Sequence, residues 1–410
     1  MFALICSELF YFCFGMKSRD IFFNHIAQTS PAPPAIEIVS ANGSRLKDVN
    51  GKEYIDLISG ISVSALGHNH PEIIDAIKKQ AEQGLHFMVY GEFILQPQVM
   101  LAELLSSLLP KNLNCTYFVN SGSEAVEGAL KLAKRFTGRT EIISFQNAYH
   151  GSTHGALSVT GNESLKNSFR PLLPDITILP FDETDSLQKI SSKTACVIAE
   201  TIQGEAGAIV PQKSFLQELR KRCTESGALL ILDEIQVGCG RTGKMFAFEH
   251  FGIVPDILLL GKAFGGGMPL GAFISSREIM SSLSVNPALG HITTFGGHLV
   301  SCIAGFTALS VIRKENLPDR VSEKENIFRQ NLVHKRIKSI TGTGLLLGIE
   351  FENERTCKSI INNCMINGVV TDNFLFAPAK MRIAPPLNIS EKDIRLSCEI
   401  ILNSIDKTNN

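Results

Sequence analysis

The residue of this chain most open to covalent chemistry is Lys262, in the stretch DILLLGKAFGGGMPLG from Asp256 to Gly271. An apolar run, Ile257 to Leu260, ends at Gly261; the lysine follows, and Gly265, Gly266 and Gly267 come shortly after. A lysine pressed against apolar neighbours loses solvation in its charged form, so its amine is more readily neutral and nucleophilic. Neutral amines form Schiff bases with aldehydes. On this reading the strand fixes the lysine and the glycines give its reacting end room. Taken alone, the same pattern also suits a lysine that reaches past apolar neighbours to water.

Three further segments place polar groups directly after apolar runs. ALLILDEIQVGCGRTG ends its run at Asp233 and continues through Ile235 and Gln236. A carboxylate there is costly unless a cation meets it, although a helix cap or a nearby arginine would also satisfy it. NSGSEAVEGALK sets Ser121, Gly122 and Ser123 at the opening of a helix, where free N–H groups and the positive dipole end favour an anion such as phosphate. Serine at that place is equally an ordinary N-cap. FQNAYHG brings Tyr149 to another strand-to-loop passage, as a flat face for a planar ring or as a core aromatic. Together, a phosphate cradle, an aromatic platform, an acid and an amine describe a site for pyridoxal 5'-phosphate. Lys262 would hold the aldehyde, and Asp233 would keep the pyridine nitrogen protonated so that the ring accepts electrons.

The elements that must carry these residues follow from the apolar pattern. CTYFV, EIISF, DITIL, ACVIAE, ALLILD and DILLLG recur between about residues 110 and 275 with room for crossover helices. Short unbroken apolar runs suit parallel strands covered on both faces, which predicts an open α/β sheet with its ligand loops at the carboxyl ends of the strands. The helix after NSGS should bury Ala125, Ala129, Leu132, Ala133 and Phe136 on one face. GSRLKDVNGKEYIDLISG reads as a hairpin turning at Asn50-Gly51. GTGLLLGIEF, a helix closed by Gly368, KMRIAPPL and a last helix capped by Ser390 with Asp393 read as an α+β lobe. The expected division is a small domain from residues 16–62 and 303–410 and a large cofactor-binding domain from residues 63–302.

Bulk properties bound the rest. The chain has 410 residues, 44% hydrophobic and 19% charged, with a formal net charge of -1. Both signs are mixed along it, so no electrostatic footprint for nucleic acid or an anionic membrane is present. Ten cysteines without a CxxC pair or zinc spacing read as reduced thiols, which predicts a cytoplasmic enzyme. The apolar start MFALICSELFYFCFGMK is interrupted by Glu8 and lacks a preceding basic residue and a cleavage site, so residues 1–15 read as a loose extension or a start mis-assigned upstream of Met16. His68 with His70, and His150 with His154, lack a third ligand at metal spacing.

The motifs above, with AYHGSTHGAL, IQGEAG, TTFGGH and MRIAPPLNIS in the same order, resemble the class III (omega-amino) aminotransferases of fold type I from about residue 20 to the end. The resemblance implies Lys262 as the Schiff-base lysine, Asp233 on the pyridinium nitrogen and Gln236 near the phenolic oxygen. It implies Gly122 and Ser123 on the phosphate, with Tyr149 and Ile235 covering the two ring faces. It further implies a homodimer in which Thr294 reaches the partner's cofactor, and a Glu205–Arg382 pair that opens for carboxylate-bearing substrates.

Five positions depart from the family's pattern. Thr201 stands in place of proline, and His298-Leu299 in place of Asn-Pro. Ser152 stands where many members carry an arginine that grips a substrate carboxylate, and Ile61 where ornithine aminotransferases carry tyrosine. The expected reaction is therefore ping-pong transfer from a terminal amine, diamine or omega-amino acid to 2-oxoglutarate. Acetylornithine is the alternative donor, and an aminomutase, a decarboxylase or a non-catalytic protein on this fold are the rival classes.

Overall fold

The computed structural model describes residues 18–408, so the reading of residues 1–15 lies outside the described part. Its largest sheet holds β4 (Cys115–Val119), β5 (Glu141–Phe145), β6 (Ile176–Leu179), β7 (Thr194–Glu200), β8 (Leu229–Asp233), β9 (Ile257–Leu260) and β10 (Gly271–Ser275). Their spatial order is β4-β10-β9-β8-β7-β5-β6. The pairs β5·β6, β5·β7, β7·β8 and β8·β9 are parallel, as the apolar runs predict. β10 is the exception and runs antiparallel to both β4 and β9. It follows the glycine loop directly, too closely for a crossover helix, and so returns beside β9.

This is the fold type I architecture of the pyridoxal-phosphate enzymes, with helices on the sheet's faces. The helix Gly122–Thr137 covers part of it and buries Ala125, Ala129, Leu132 and Ala133 completely. Phe136, expected on the same face, is instead 40% exposed, because the helix ends one turn later at Gly138 and its last turn clears the sheet.

Two smaller sheets flank the large one. β2 (Arg45–Asp48) and β3 (Glu53–Asp56) form the predicted hairpin, β1 (Ile38–Asn42) extends it antiparallel to β2, and β13 (Val369–Val370) joins β3 in parallel, so both ends of the chain share one sheet. β11 (Ser339–Thr343), β12 (Leu346–Glu350) and β14 (Lys380–Ile383) make the third. The last helix, Glu391–Asp406, starts at Ser390, whose hydroxyl accepts from Asp393 N. No described helix is long and apolar enough to cross a membrane.

Candidate active site

The carboxyl ends of strands β4, β5, β7, β8 and β9, and the loops that leave them, supply the lining of one cavity. That cavity is about 200 Å³ and is lined by Ser121, Gly122, Ser123, Tyr149, Asp233, Ile235, Gln236 and Lys262, together with His150, Gly151, Glu200, Ile202 and Val237. Eight residues singled out from sequence are thus brought together. A larger hollow of about 720 Å³ lies between the helix Ser18–His25 and the β1–β2 hairpin. Its buried carboxylate, Asp48, already accepts from Asn50 N, Lys52 N and the Tyr54 hydroxyl, so it is taken up within the β2–β3 hairpin.

Lys262 sits directly after β9 with φ +49, a left-handed conformation that costs a non-glycine residue about 1–2 kcal/mol. Burial lowers its amine below the ordinary lysine range, and the negative field of Glu205 opposes this only in part. Gly266 takes φ +60, and a Cβ there would stand 2.6 Å from the Ala304 carbonyl of the helix Leu299–Lys314, so glycine at this place lets the loop lie against that helix. Gly267, at φ +96, has open space around it.

Asp233, 5% exposed, receives His150 Nδ1 on Oδ2 at 2.7 Å and Ile235 N on Oδ1 at 3.0 Å. Its strand neighbour in register is Glu200, whose oxygens accept from Gly204 N (3.0 Å) and Tyr149 N (3.1 Å). Burial, and then the nearby Asp233 charge, push the Glu200 carboxyl well above the usual range. Sequence reasoning passed over both partners. Glu200 ends ACVIAE as Asp233 ends ALLILD, so the same strand-end signal marks it. His150 gave no comparable signal, because its contact with Asp233 spans 83 positions.

The turn at Ser121 fits an anion. Ser121 Oγ accepts from Glu124 N and its carbonyl from Ala125 N, which leaves the amides of Gly122 and Ser123 at the cavity as donors. A side chain at 122 would meet Ile235 Cδ1 at 2.9 Å, so only glycine lets Ile235 lean over this end. Two polar atoms of the lining, Gln236 Nε2 and His150 Nε2, are buried without a hydrogen-bond partner among the described residues. An unpaired amide donor and an unpaired ring nitrogen beside an anion cradle, a lysine and a carboxylate are what a polar aromatic phosphate ester would satisfy, and the residues present fit pyridoxal 5'-phosphate.

The remaining predicted residues lie outside the cavity wall. Glu205 and Arg382 form a buried bidentate pair at 2.8 and 2.9 Å. Burial raises the Glu205 carboxyl, and Arg382 more than reverses this, holding it below the ordinary range. Ser152 is exposed, with its hydroxyl 3.1 Å from the Tyr149 hydroxyl and its amide donating to Ser123 Oγ. Ile61 belongs to a left-handed run, Ser59 to Ser62, with φ between 49° and 65°. Thr294 is exposed on the loop before the helix Leu299–Lys314. His68 is bound to Asp56 at 2.7 Å.

A sheet whose carboxyl ends bring a lysine, an aspartate and an anion turn into one cavity defines a pyridoxal-phosphate transferase, and the family described as Aminotransferase class-III matches residues 26–405. The chain belongs to that family and is a PLP-dependent aminotransferase. An acetylornithine aminotransferase of Methanopyrus kandleri is 38% identical over 384 residues, 92% of this chain and 96% of that protein. Among solved structures, the ornithine aminotransferase of Toxoplasma gondii, described with partial occupancy of PLP at its active site, superposes with TM-score 0.90 at 29% identity over 97% of this chain and 96% of that one. The adenosylmethionine-8-amino-7-oxononanoate aminotransferase of Methanocaldococcus jannaschii gives 0.87 at 28% identity over 96% and 99%.

Proposed function

We propose that this enzyme transfers the terminal amine of a diamine or omega-amino acid to 2-oxoglutarate by a ping-pong cycle in the cytoplasm. The observation that carries the donor class is Ser152. Its hydroxyl is spent on Tyr149, and the lining offers no cation besides Lys262 and the aspartate-bound His150, so a donor carboxylate has no second anchor there. Arg382 remains as the anchor for the 2-oxo acid, its fork freed when Glu205 withdraws.

When bound, the cofactor supplies an electron sink for the carbanion formed at the amine-bearing carbon. Lys262 Nζ, whose hold on its proton burial weakens, would take the proton from that carbon and return it later. Asp233 would hold a proton at the ring nitrogen, and His150 fixes the orientation of its carboxylate. Gly122 and Ser123 would bind phosphate through their amides, Gln236 would donate to the phenolic oxygen, and Tyr149 and Ile235 would enclose the ring and exclude water.

A homodimer completes the reading. Phe87, Phe93, Ile94, Ile292 and Phe295 are exposed by 54% or more, and their two segments touch through Tyr90 N to Thr293 O and His86 against Phe295. An apolar patch of this kind suits a self-complementary interface, with Thr294 at its centre to reach the partner's phosphate. Light scattering at working concentration reads the assembly, and a fully active monomer would refute this part.

A second donor, N-acetylornithine, is favoured by the likeness to the Methanopyrus enzyme. The deciding experiment compares kcat/KM for putrescine and N-acetylornithine in the parent and in Ser152→Arg. The parent should prefer putrescine and the variant should shift toward acetylornithine. A parent that prefers acetylornithine by about tenfold, or about 1.4 kcal/mol, would establish the second reading.

A further inference from the structure

The Arg382 guanidinium is gripped along separate edges. Its fork donates to Glu205, its Nε donates to Asp372 Oδ1 at 3.0 Å, and its face lies 4.5 Å from the centre of the Phe374 ring. The two carboxylates are mounted differently. Asp372 lies on a segment laddered to β14: Thr371 Oγ1 donates to the Arg382 carbonyl, Arg382 N donates to the Asp372 carbonyl, and Asn373 bridges Met381. Backbone register therefore fixes Asp372 opposite the arginine. Glu205 stands on the tight turn closed by Gln203 and Ile209, and only its side chain and the Leu375 and Phe376 amides tie it to this region. Glu205 is held by its side chain and a turn, whereas the Asp372 backbone stays opposite the arginine as long as the ladder holds.

A guanidinium buried without a counter-ion is strongly disfavoured, so the moment at which Glu205 has left and the substrate has not arrived is the vulnerable one. We propose that Asp372 is a positioning residue that holds Arg382 by its Nε edge and compensates its charge while the fork exchanges Glu205 for a substrate carboxylate. This rests on the reading of Arg382 as the carboxylate anchor. Burial pushes the Asp372 carboxyl up to about 6, with Arg382 pulling it back, so it is ionised at neutral pH, where the compensation is needed.

The test measures binding of glutarate, which has neither amine nor keto group to react, by calorimetry on the holoenzyme, alongside steady-state kinetics. Asp372→Ala should weaken glutarate by about tenfold or more and raise the KM for 2-oxoglutarate far more than the KM for putrescine, with kcat little changed. Asp372→Asn, which keeps an acceptor for Nε but no charge, should restore only the hydrogen-bonded part of the affinity and fall between the parent and the alanine variant. Should the alanine chain fail to accumulate, Asp372→Ser, too short to reach Nε, takes its place. Arg382→Gln is the control. If it loses glutarate while the Asp372 variants bind like the parent, the positioning role is overturned and the functional reading stands. If Arg382→Gln itself binds like the parent, both fall. Equal losses for putrescine and 2-oxoglutarate would indicate general disruption and would overturn the proposal as well.

Discussion

Glu205→Gln isolates what the Glu205–Arg382 pair does. In the parent, an arriving carboxylate replaces two charge-assisted hydrogen bonds, 2.8 and 2.9 Å, with two of the same kind, so the exchange is close to neutral in energy. Glutamine keeps the shape but has one acceptor and no charge. A charge-assisted bond contributes roughly 1.5–3 kcal/mol against roughly 0.5–1.5 for a neutral one, so losing the first kind and part of the second weakens the resident contact by about 1–3 kcal/mol. The incoming carboxylate still gains its full contact. The KM for 2-oxoglutarate should therefore fall by a factor of about 5 to 100, at 1.4 kcal/mol per tenfold. A donor without a carboxylate gains nothing, because the fork then faces only the amide. Single-turnover kinetics of each half-reaction separate the two effects. An unchanged or higher KM for 2-oxoglutarate in Glu205→Gln, with the fold intact by circular dichroism, would refute the exchange argument.

Two other outcomes follow from the site. Lys262→Ala should still bind cofactor without the covalent link and lose turnover by several orders of magnitude, read by absorbance and initial rates; turnover near the parent's would remove the lysine from its role. Glu234, fully enclosed and accepting from Thr201 Oγ1, Ala247 N and Phe248 N, has its carboxyl pushed by burial up to about 7. A group raised above its unfolded value binds its proton more tightly when folded, so stability should decline as pH rises from about 4.5 to about 7, by roughly 3 kcal/mol at most. Denaturant midpoints for Glu234→Gln should show a shallower decline over that window, and an identical slope would assign the effect to other groups.

What was legible in the sequence was local. Lys262, Asp233, Tyr149 and the Ser121 turn each sit where an apolar run stops, and a strand that ends in a polar residue announces a site whichever strands lie beside it. The antiparallel course of β10 was not legible, since GAFIS is as apolar as its parallel neighbours and only its distance from β9 forbids a crossover. The Asp233–His150 bond and the Asp372–Arg382 bond depend on which strands become neighbours, and neither residue type nor spacing encodes that. The glycine loop was visible in the sequence, but the close approach of Gly266 to the Ala304 carbonyl was not, because that carbonyl lies on a helix some forty residues later.

The place of β10 also governs the order in which the protein can be assembled. β4 sits at the edge of the large sheet and hydrogen-bonds to β10 alone, yet about 150 residues separate the two in the chain. At the usual pace of synthesis that interval takes roughly 8–30 seconds, during which CTYFV has left the ribosome without the strand that will cover it. The anion turn hangs from the end of β4, and Gly271, the first residue of β10, packs so closely under it that a Cβ there would stand 2.3 Å from the Ser121 carbonyl. The phosphate cradle is therefore seated only after Lys262 has already emerged. Cofactor capture becomes a late checkpoint of biogenesis, passed by chains whose sheet has closed and unavailable to those still waiting for its last strand.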